Sequence, residues 1–322
     1  MILESIVIVL AALGIDFIFG DPRSRYHPTA WIGRFIGRMV PIMKSQNDTT
    51  ERIGGIIIVV ASCFVVSILI YGYLFGIELL GNDFFSIVLG IIFGSILLKT
   101  TIAIKGMEKH ALSVVDSVER DDIEAARGHL SMIVKRNTSE LDKNHILSGV
   151  LESVSENTVD GVTGPLFYYS IFGLLGAFLY RTVNTIDSMV GYRNNMFRNI
   201  GWFGANCDKI LNFIPSRLTG LVMVLAAKLL RLDSSSAFRI MMRDGRKLES
   251  PNAGYPMAAL AGALNTKLEK IGHYNIGDGN IELSRKQIHS AISLMKLSSL
   301  LFCAIFTIPI IFVLSSIGWL FA

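Results

Sequence analysis

Residues 53–75 read IGGIIIVVASCFVVSILIYGYLF, and no charged side chain interrupts them. At about 1.5 Å of rise per residue, a helix of that length covers roughly 34 Å, enough to cross a hydrocarbon core of about 30 Å. A soluble helix would carry charge on its outer face, so this stretch reads as a membrane span. Working outward, residues 297–322 are also uncharged and read as another span. Residues 84–98, extended through Lys99 to Ile104, make a further one, with Lys99 either snorkelling or facing the protein interior. Residues 1–19 are apolar and have no basic residue ahead of the apolar run, which suits a retained first membrane helix better than a signal peptide. Asp16 falls near its exit. Two middle stretches are ambiguous. Residues 161–180 are uncharged but open with Gly161, Gly164 and Pro165, and residues 210–230 carry Pro215 and Arg217. Each either crosses or re-enters under the shelter of other helices.

Composition agrees with this. The 322-residue chain is 51% hydrophobic and only 17% charged, against about 25% charged in soluble domains. Disorder and an ordinary soluble globule are both excluded. A net charge of +4 is too mild for nucleic acid, and the Lys and Arg sit between apolar segments. Cys63, Cys207 and Cys303 are far apart and form no CxxC, metal or disulfide pattern. The expected fold is all-α: a polytopic integral membrane protein with four to six membrane helices, cytoplasmic helical segments and middle helices that cross or re-enter. A single membrane-embedded domain, 1–322, is expected. It divides into three membrane helices (1–104), cytoplasmic helices (105–160), motif-rich middle segments (161–230), a cytoplasmic segment (231–296) and a last membrane helix (297–322).

Charge sets the orientation. Residues 20–52 hold six Lys/Arg and residues 76–83 hold none, so the first connection is expected inside and the N-terminus outside. Parity then requires that both middle segments cross or that neither does. The four Lys/Arg within 181–209 favour neither, which puts every polar motif on the cytoplasmic side. Within 105–160, Ile123, Ala126, Leu130, Ile133 and Val134 follow helical spacing. Thr138 and Ser139 suggest a break and cap before a helix over 142–160. No stretch alternates as an exposed strand would.

Several polar groups could carry chemistry. Glu152, Glu156 and Asp160 are spaced i, i+4, i+8 on one helix face, opposite Ile146, Leu147, Val150 and Val154. Their repulsion costs a few tenths of a kcal/mol per pair, and Mg²⁺ would relieve it; a solvated acidic face is the plainer alternative. In RTVNTIDSMVGYRN (181–194), Arg181, Asn184, Ser188 and Gly191 form a stripe with Asp187 beside it. Such a polar stripe is costly between apolar segments unless it binds a ligand or ties helices together. Arg181 and Arg193 suit phosphate or carboxylate. Asp208, Asn212, Pro215 and Arg217 bring a charge into an apolar run. GDPRSRYHPTAWIGR (20–34) reads as a fixed turn, with His27 a base, a ligand contact or a structural residue. SPNAGYP (250–256) suits a close backbone approach to an anion, or a simple turn. P-loop, dinucleotide, GxSxG and HExxH patterns are absent.

Together these motifs resemble the CobD/CbiB family of cobalamin biosynthesis: ESVSENTVDGVTGPLFY (152–168), NTIDSMVGYRN (184–194), LNFIPSR (211–217), SPNAGYP and the GDPR…HP…WIGR start. They occur in family order across most of the chain. The resemblance implies a multi-pass inner-membrane adenosylcobinamide-phosphate synthase. Such an enzyme joins the carboxylate of adenosylcobyric acid to aminopropanol or its O-phosphate, with Mg²⁺ and ATP and with the adenosylcorrinoid as substrate. It implies an active site on the cytoplasmic side, a lipid membrane as surroundings, no nucleic acid partner and an unspecified oligomeric state. It implies Glu152, Glu156 and Asp187 as catalytic residues, and Glu152, Glu156 and Asp160 as metal ligands. Substrate and phosphate binding would fall to His27, Asn157, Arg181, Asn184, Tyr192, Arg193, Asn212, Arg217 and Asn252. A carboxylate must be activated as an acyl phosphate or adenylate before an amine attacks it, which demands charge neutralisation. Two other readings compete. A membrane prenyltransferase would need two aspartate motifs, and a corrinoid transporter or sensor without ligase activity would suit the paired broken segments.

Overall fold

The computed structural model describes residues 2–319, apart from 23, 82, 83, 135, 193, 249, 271 and 281–283. From the N-terminus the chain forms α1 (Ile2–Phe19), α2 (Pro28–Met43), α3 (Asp48–Leu79), α4 (Phe84–Lys99), α5 (Ile104–Glu119), α6 (Ile123–Ser131) and α7 (Lys143–Thr158). It continues through α8 (Gly164–Val190), α9 (Trp202–Leu211), α10 (Phe213–Leu229), α11 (Ser234–Asp244) and α12 (Pro251–Ala263). A small antiparallel pair, β1 (Leu268–Lys270) and β2 (Tyr274–Ile276), precedes α13 (Arg285–Phe302) and α14 (Ile308–Ser316). The protein is all-α and polytopic, as expected. Five helical stretches are long and apolar enough to cross a membrane: Ile2–Phe19, Asp48–Leu79, Phe84–Glu119, Lys143–Val190 and Arg285–Ser316. A sixth results if Trp202–Leu211 and Phe213–Leu229 count as one.

Contacts divide the chain into two compact units, built from residues 1–103, 164–212 and 306–322, and from residues 104–163 and 213–305. In the first unit, the Asn47 side chain caps α3 by accepting from the Thr49 and Thr50 N–H groups at 3.0 Å. Along α3, Val60, Phe64 and Ile68 are all more than half exposed at i, i+4, i+8, while Ile58, Val66 and Ile70 are buried. The apolar outer stripe faces a medium that is not water. α1 packs on α4, and α3 on α2, α8 and α9. α4 stops at Lys99 because the Thr100 and Thr101 hydroxyls bond back to the Leu97 and Leu98 carbonyls at 2.7 Å, competing with the helical ladder. Lys99 faces inward, 3% exposed, between Asp16 (3.2 Å) and Asp21 (2.5 Å).

α8 contains the main departure from a simple span. Phe172 and Gly173 are non-helical, and Gly173 has φ +60°, ψ −151°, a region essentially reserved for glycine. Tyr168 and Tyr180 would lie about 18 Å apart on a straight helix, yet their rings stack with centroids 5.3 Å apart. The chain therefore reverses at Phe172–Gly173. Residues 161–180 are two helical arms rather than one continuous helix, so the apolar length of Lys143–Val190 is not that of one straight span.

In the second unit α7 is the centre, packed by α5, α6, α12, α13 and β1. Residues 146–155 are buried on every side, so α7 is a core helix and its acidic row is no solvated face. The cap of α7 is Asp142, accepting from the His145 N–H at 2.9 Å, rather than Ser139. α6 ends at Ser131, short of Ile133 and Val134. The strands went unforeseen because three residues each are too few to show alternation. α11 and α12 meet closely: a Cβ on Gly254 would run into the Gly245 backbone. SPNAGYP is therefore neither loop nor turn; it opens α12, with Pro251 in its first turn.

Candidate functional site

The motif residues gather into polar clusters within each unit. In the first unit, α8 and α9 build a hydrogen-bonded chain. The Arg181 guanidinium donates to Asn184 Oδ1 at 3.2 Å, and Asn184 Nδ2 donates to Asp208 Oδ1 at 3.2 Å. Asn212 Nδ2 donates to Asp208 Oδ2 at 3.0 Å, and the Tyr180 hydroxyl donates to Asn212 Oδ1 at 2.7 Å. Arg181 can only donate, so Asn184 must turn its oxygen to Arg181 and its NH₂ to Asp208. Both amides thus aim their donors at one carboxylate, and both are locked from behind. Asn184, Asn212 and Tyr180 are 4%, 3% and 1% exposed, and Tyr168 holds Tyr180 by stacking while its hydroxyl donates to Leu211 O at 2.9 Å. The reversal at Gly173 is what brings Tyr168 onto Tyr180.

Asp187 lies one turn beyond Asn184 on α8, half-buried, and its carbonyl accepts from the Gly191 N–H at 2.8 Å. Tyr192 follows the helix, its ring centroid 6.0 Å from that of Phe197. Arg193 lies outside the described residues. His27 Nδ1 accepts from the Thr29 N–H at 3.2 Å, capping α2, and Nε2 lies 3.5 Å from Asp21 Oδ1. Burial alone would raise the Asp21 pKa, but hydrogen bonds from His27 and Lys99 hold it below the ordinary carboxylate value. His27 is thereby occupied as a cap and as the partner of Asp21.

In the second unit, Glu152 is 8% exposed and accepts from Arg136 at 2.6 Å. The strand pair is fastened beside it. The Ser148 hydroxyl accepts from the Glu269 N–H at 3.1 Å, and Arg136 reaches Glu269 O at 3.4 Å. Burial first, and then the Glu152 charge, raise the Tyr274 pKa above that of an ordinary phenol, so Tyr274 stays protonated beside that carboxylate. Glu156 and Asn157 follow on α7, half-buried, and Asn157 Nδ2 donates back to Ser153 O at 2.9 Å. Asp160 sits in the π-helical turn Val159–Thr163 that ends α7, a feature frequent at functional sites. Among the described residues, no group of three or more His, Cys, Asp or Glu is placed to hold a metal ion by itself. Arg217 on α10 and Asn252 in the first turn of α12 do meet, the Arg217 guanidinium donating to Asn252 Oδ1 at 3.2 Å.

The centre of the first cluster, Asp208, is absent from the residues that the motifs imply as catalytic or binding. The signal that could find it is spacing, since Asp208 and Asn212 are one helical turn apart in the LNFIPSR region. Arg136 gave no such signal, because its partner Glu152 is 16 positions away.

The family model described as "CobD/Cbib protein" matches residues 9–295. The "Probable cobalamin biosynthesis protein CobD" of Methanothermobacter thermautotrophicus is 42% identical over 302 residues, covering 93% of this chain and 96% of that protein. The protein of the same name in Methanococcus aeolicus is 40% identical over 282 residues, 87% of this chain and 89% of its own. The "Cobalamin biosynthesis protein CobD" of Dehalococcoides mccartyi is 39% identical over 276 residues, 86% and 88% respectively. No solved structure matches the chain. Relatives that align nearly end to end leave no part of the polar clusters outside the shared region, and the chain belongs to the CobD/CbiB family.

Proposed function

We propose that this cobalamin-biosynthesis protein forms an amide bond between a corrinoid side-chain carboxylate and aminopropanol or its O-phosphate, as an adenosylcobinamide-phosphate synthase. The observation that carries this reading is Asp208, whose two oxygens are oriented by Asn184 and Asn212, with Arg181 and Tyr180 fixing those amides from behind. A carboxylate held this way is a ready acceptor for an amine, and Arg181 beside it suits a carboxylate or phosphate. Asp187, farther along α8, takes the proton that the amine loses as the amide forms.

Mg²⁺ with ATP would supply the activation that a carboxylate needs before it can be aminated. Glu156 and Asp160, one turn apart, fit the habit of Mg²⁺ carried on phosphate, which takes one or two carboxylates from the protein. Glu152, committed to Arg136, is the less available of the row and acts through the packing of α7. The working face lies on the cytoplasmic side of the cell membrane, where the basic connections fall.

The test is an amide-bond assay on the purified protein with adenosylcobyric acid, aminopropanol phosphate, Mg²⁺ and ATP, read by mass spectrometry. Product that requires all four components is expected. Glu156→Ala and Asp187→Ala should each lower turnover by about 10²–10⁴-fold while the protein remains folded. Corrinoid binding without product would overturn the ligase reading in favour of binding or transport.

A further inference from the structure

The basic residues around α10–α12 in the second unit are not alike. Arg239 and Arg243 bond to Asp278 at 2.7 and 2.6 Å, and Arg243 and Lys247 to Asp244 at 2.7 and 2.5 Å. Their charge is spent within the protein. Arg217 and Arg246 differ: among the described residues, no carboxylate makes an ion pair with either. They converge instead on one phenol. Arg246 Nε donates to the Tyr255 hydroxyl at 3.2 Å. The Arg217 guanidinium carbon lies 4.7 Å from the Tyr255 ring centroid and 3.6 Å from that of Phe213. Arg217 is held between two rings with one amino group bonded to Phe213 O (2.5 Å) and to Asn252 (3.2 Å).

Such a sandwich fixes the plane of the guanidinium and removes the rotamer freedom that binding would otherwise have to quench. The hydrogen bond from Arg246, and then the charge of both arginines, lower the Tyr255 pKa, so the local field is positive. We propose that Arg217 and Arg246, with Tyr255 and Asn252 between them, form a binding site for a phosphate monoester. Two guanidiniums that have no carboxylate partner among the described residues match its charge of about −1.5 to −2. A Mg²⁺-bound polyphosphate fits less well, because it would need a carboxylate close by, and Asp244 and Asp278 are already engaged. Within the proposed ligase reading, on which this assignment rests, the ligand is the phosphate of the amine substrate. The same chemistry could be met by a lipid phosphate, so both sources enter the test.

The full-length protein is placed in phosphatidylcholine nanodiscs, and binding of radiolabelled inorganic phosphate is measured. Saturable binding is expected, competed by aminopropanol phosphate and not by aminopropanol. Arg246→Gln and Arg217→Lys should each weaken it about tenfold. Arg239→Gln, which removes a charge tied to Asp278, should leave it unchanged. Equal affinity in all variants overturns the site. So does absence of phosphate binding together with an arginine-dependent retention of phosphatidylglycerol, which makes the pair a lipid clamp. Amide formation in preparations whose phosphate binding ignores both arginines sinks the site and spares the ligase. Arginine-dependent phosphate binding without product does the reverse.

Discussion

Asp208 accepts from Asn184 and Asn212, and Arg181 and Tyr180 fix those two amides. Asparagine at this position keeps the size but brings an NH₂ against the NH₂ donors of Asn184 and Asn212, so at least one bond reverses or breaks. Asp208→Asn is expected to lower kcat/KM at least tenfold, by loss of one or two charge-assisted hydrogen bonds, with the KM for the amine raised. A variant with normal kcat/KM would make the network a helix fastener only. Titration of the ion-paired carboxylates sets a second expectation. Burial would raise Asp244, but Arg243, Lys247 and the Gly277 N–H hold it well below its ordinary 3.8. Asp21 is likewise lowered, and at Asp278 the arginines do the same. For each, the folded pKa lies below the unfolded one, so the stabilisation is present above about pH 4 and is lost as pH falls through the folded value. The thermal midpoint in detergent should be flat from about pH 8 to 5 and drop below about pH 4. Asp244→Asn should cost about 1–3 kcal/mol at neutral pH and flatten the acid limb.

At the scale of elements, the reversal in α8 organises the first cluster, and it rests on one backbone conformation. Gly173→Ala should cost about 1–3 kcal/mol, measured by thermal unfolding, and lower activity by misplacing Tyr180. Gly72, in the interior of α3 with open space where a Cβ would go, is the control: alanine there should be neutral or mildly stabilising. The helices were legible from hydrophobicity because that signal sums over many residues. The reversal was not, since 161–180 is equally apolar whether straight or folded back, and the only local cue was Gly173 among four other candidates for bending, Gly161, Gly164, Pro165 and Gly176. SPNAGYP misled for a related reason. Proline in a first helical turn and proline in a loop look the same until the following residues pack, and here Gly254 packs on Gly245. Glu152, Glu156 and Asp160 were legible as a row, but the arginine that singles out Glu152 comes from a distant position.

At the scale of the whole molecule, the charge bias between connections predicts an inside and an outside. In a variant with Cys63, Cys207 and Cys303 replaced by serine, Gly81→Cys should react with a membrane-impermeant maleimide on intact cells, and Glu140→Cys should react only after lysis. The opposite pattern would invert the orientation and move the 105–160 segment outside. Both sites are exposed, so a lack of labelling is a matter of side rather than burial. The number of crossings could not be read from composition, because a folded-back segment and a span have the same hydrophobicity. The order of motifs could, since it needs no geometry.

The interleaving of the two units has a consequence for biogenesis. Residues 1–103 wait for 164–212 and then for 306–322 before the first unit is whole, and the second unit needs 213–305 to meet 104–163. The second unit has all its residues once 305 is made, whereas the first stays open until 306–322 follow. Early helices enter the bilayer with Lys99 and Asp16 already able to pair, but α7 emerges with the surface that α12, α13 and β1 cover still open. Nascent chains of this protein are therefore exposed to quality control through most of their synthesis, and the unit that begins first is the last to close.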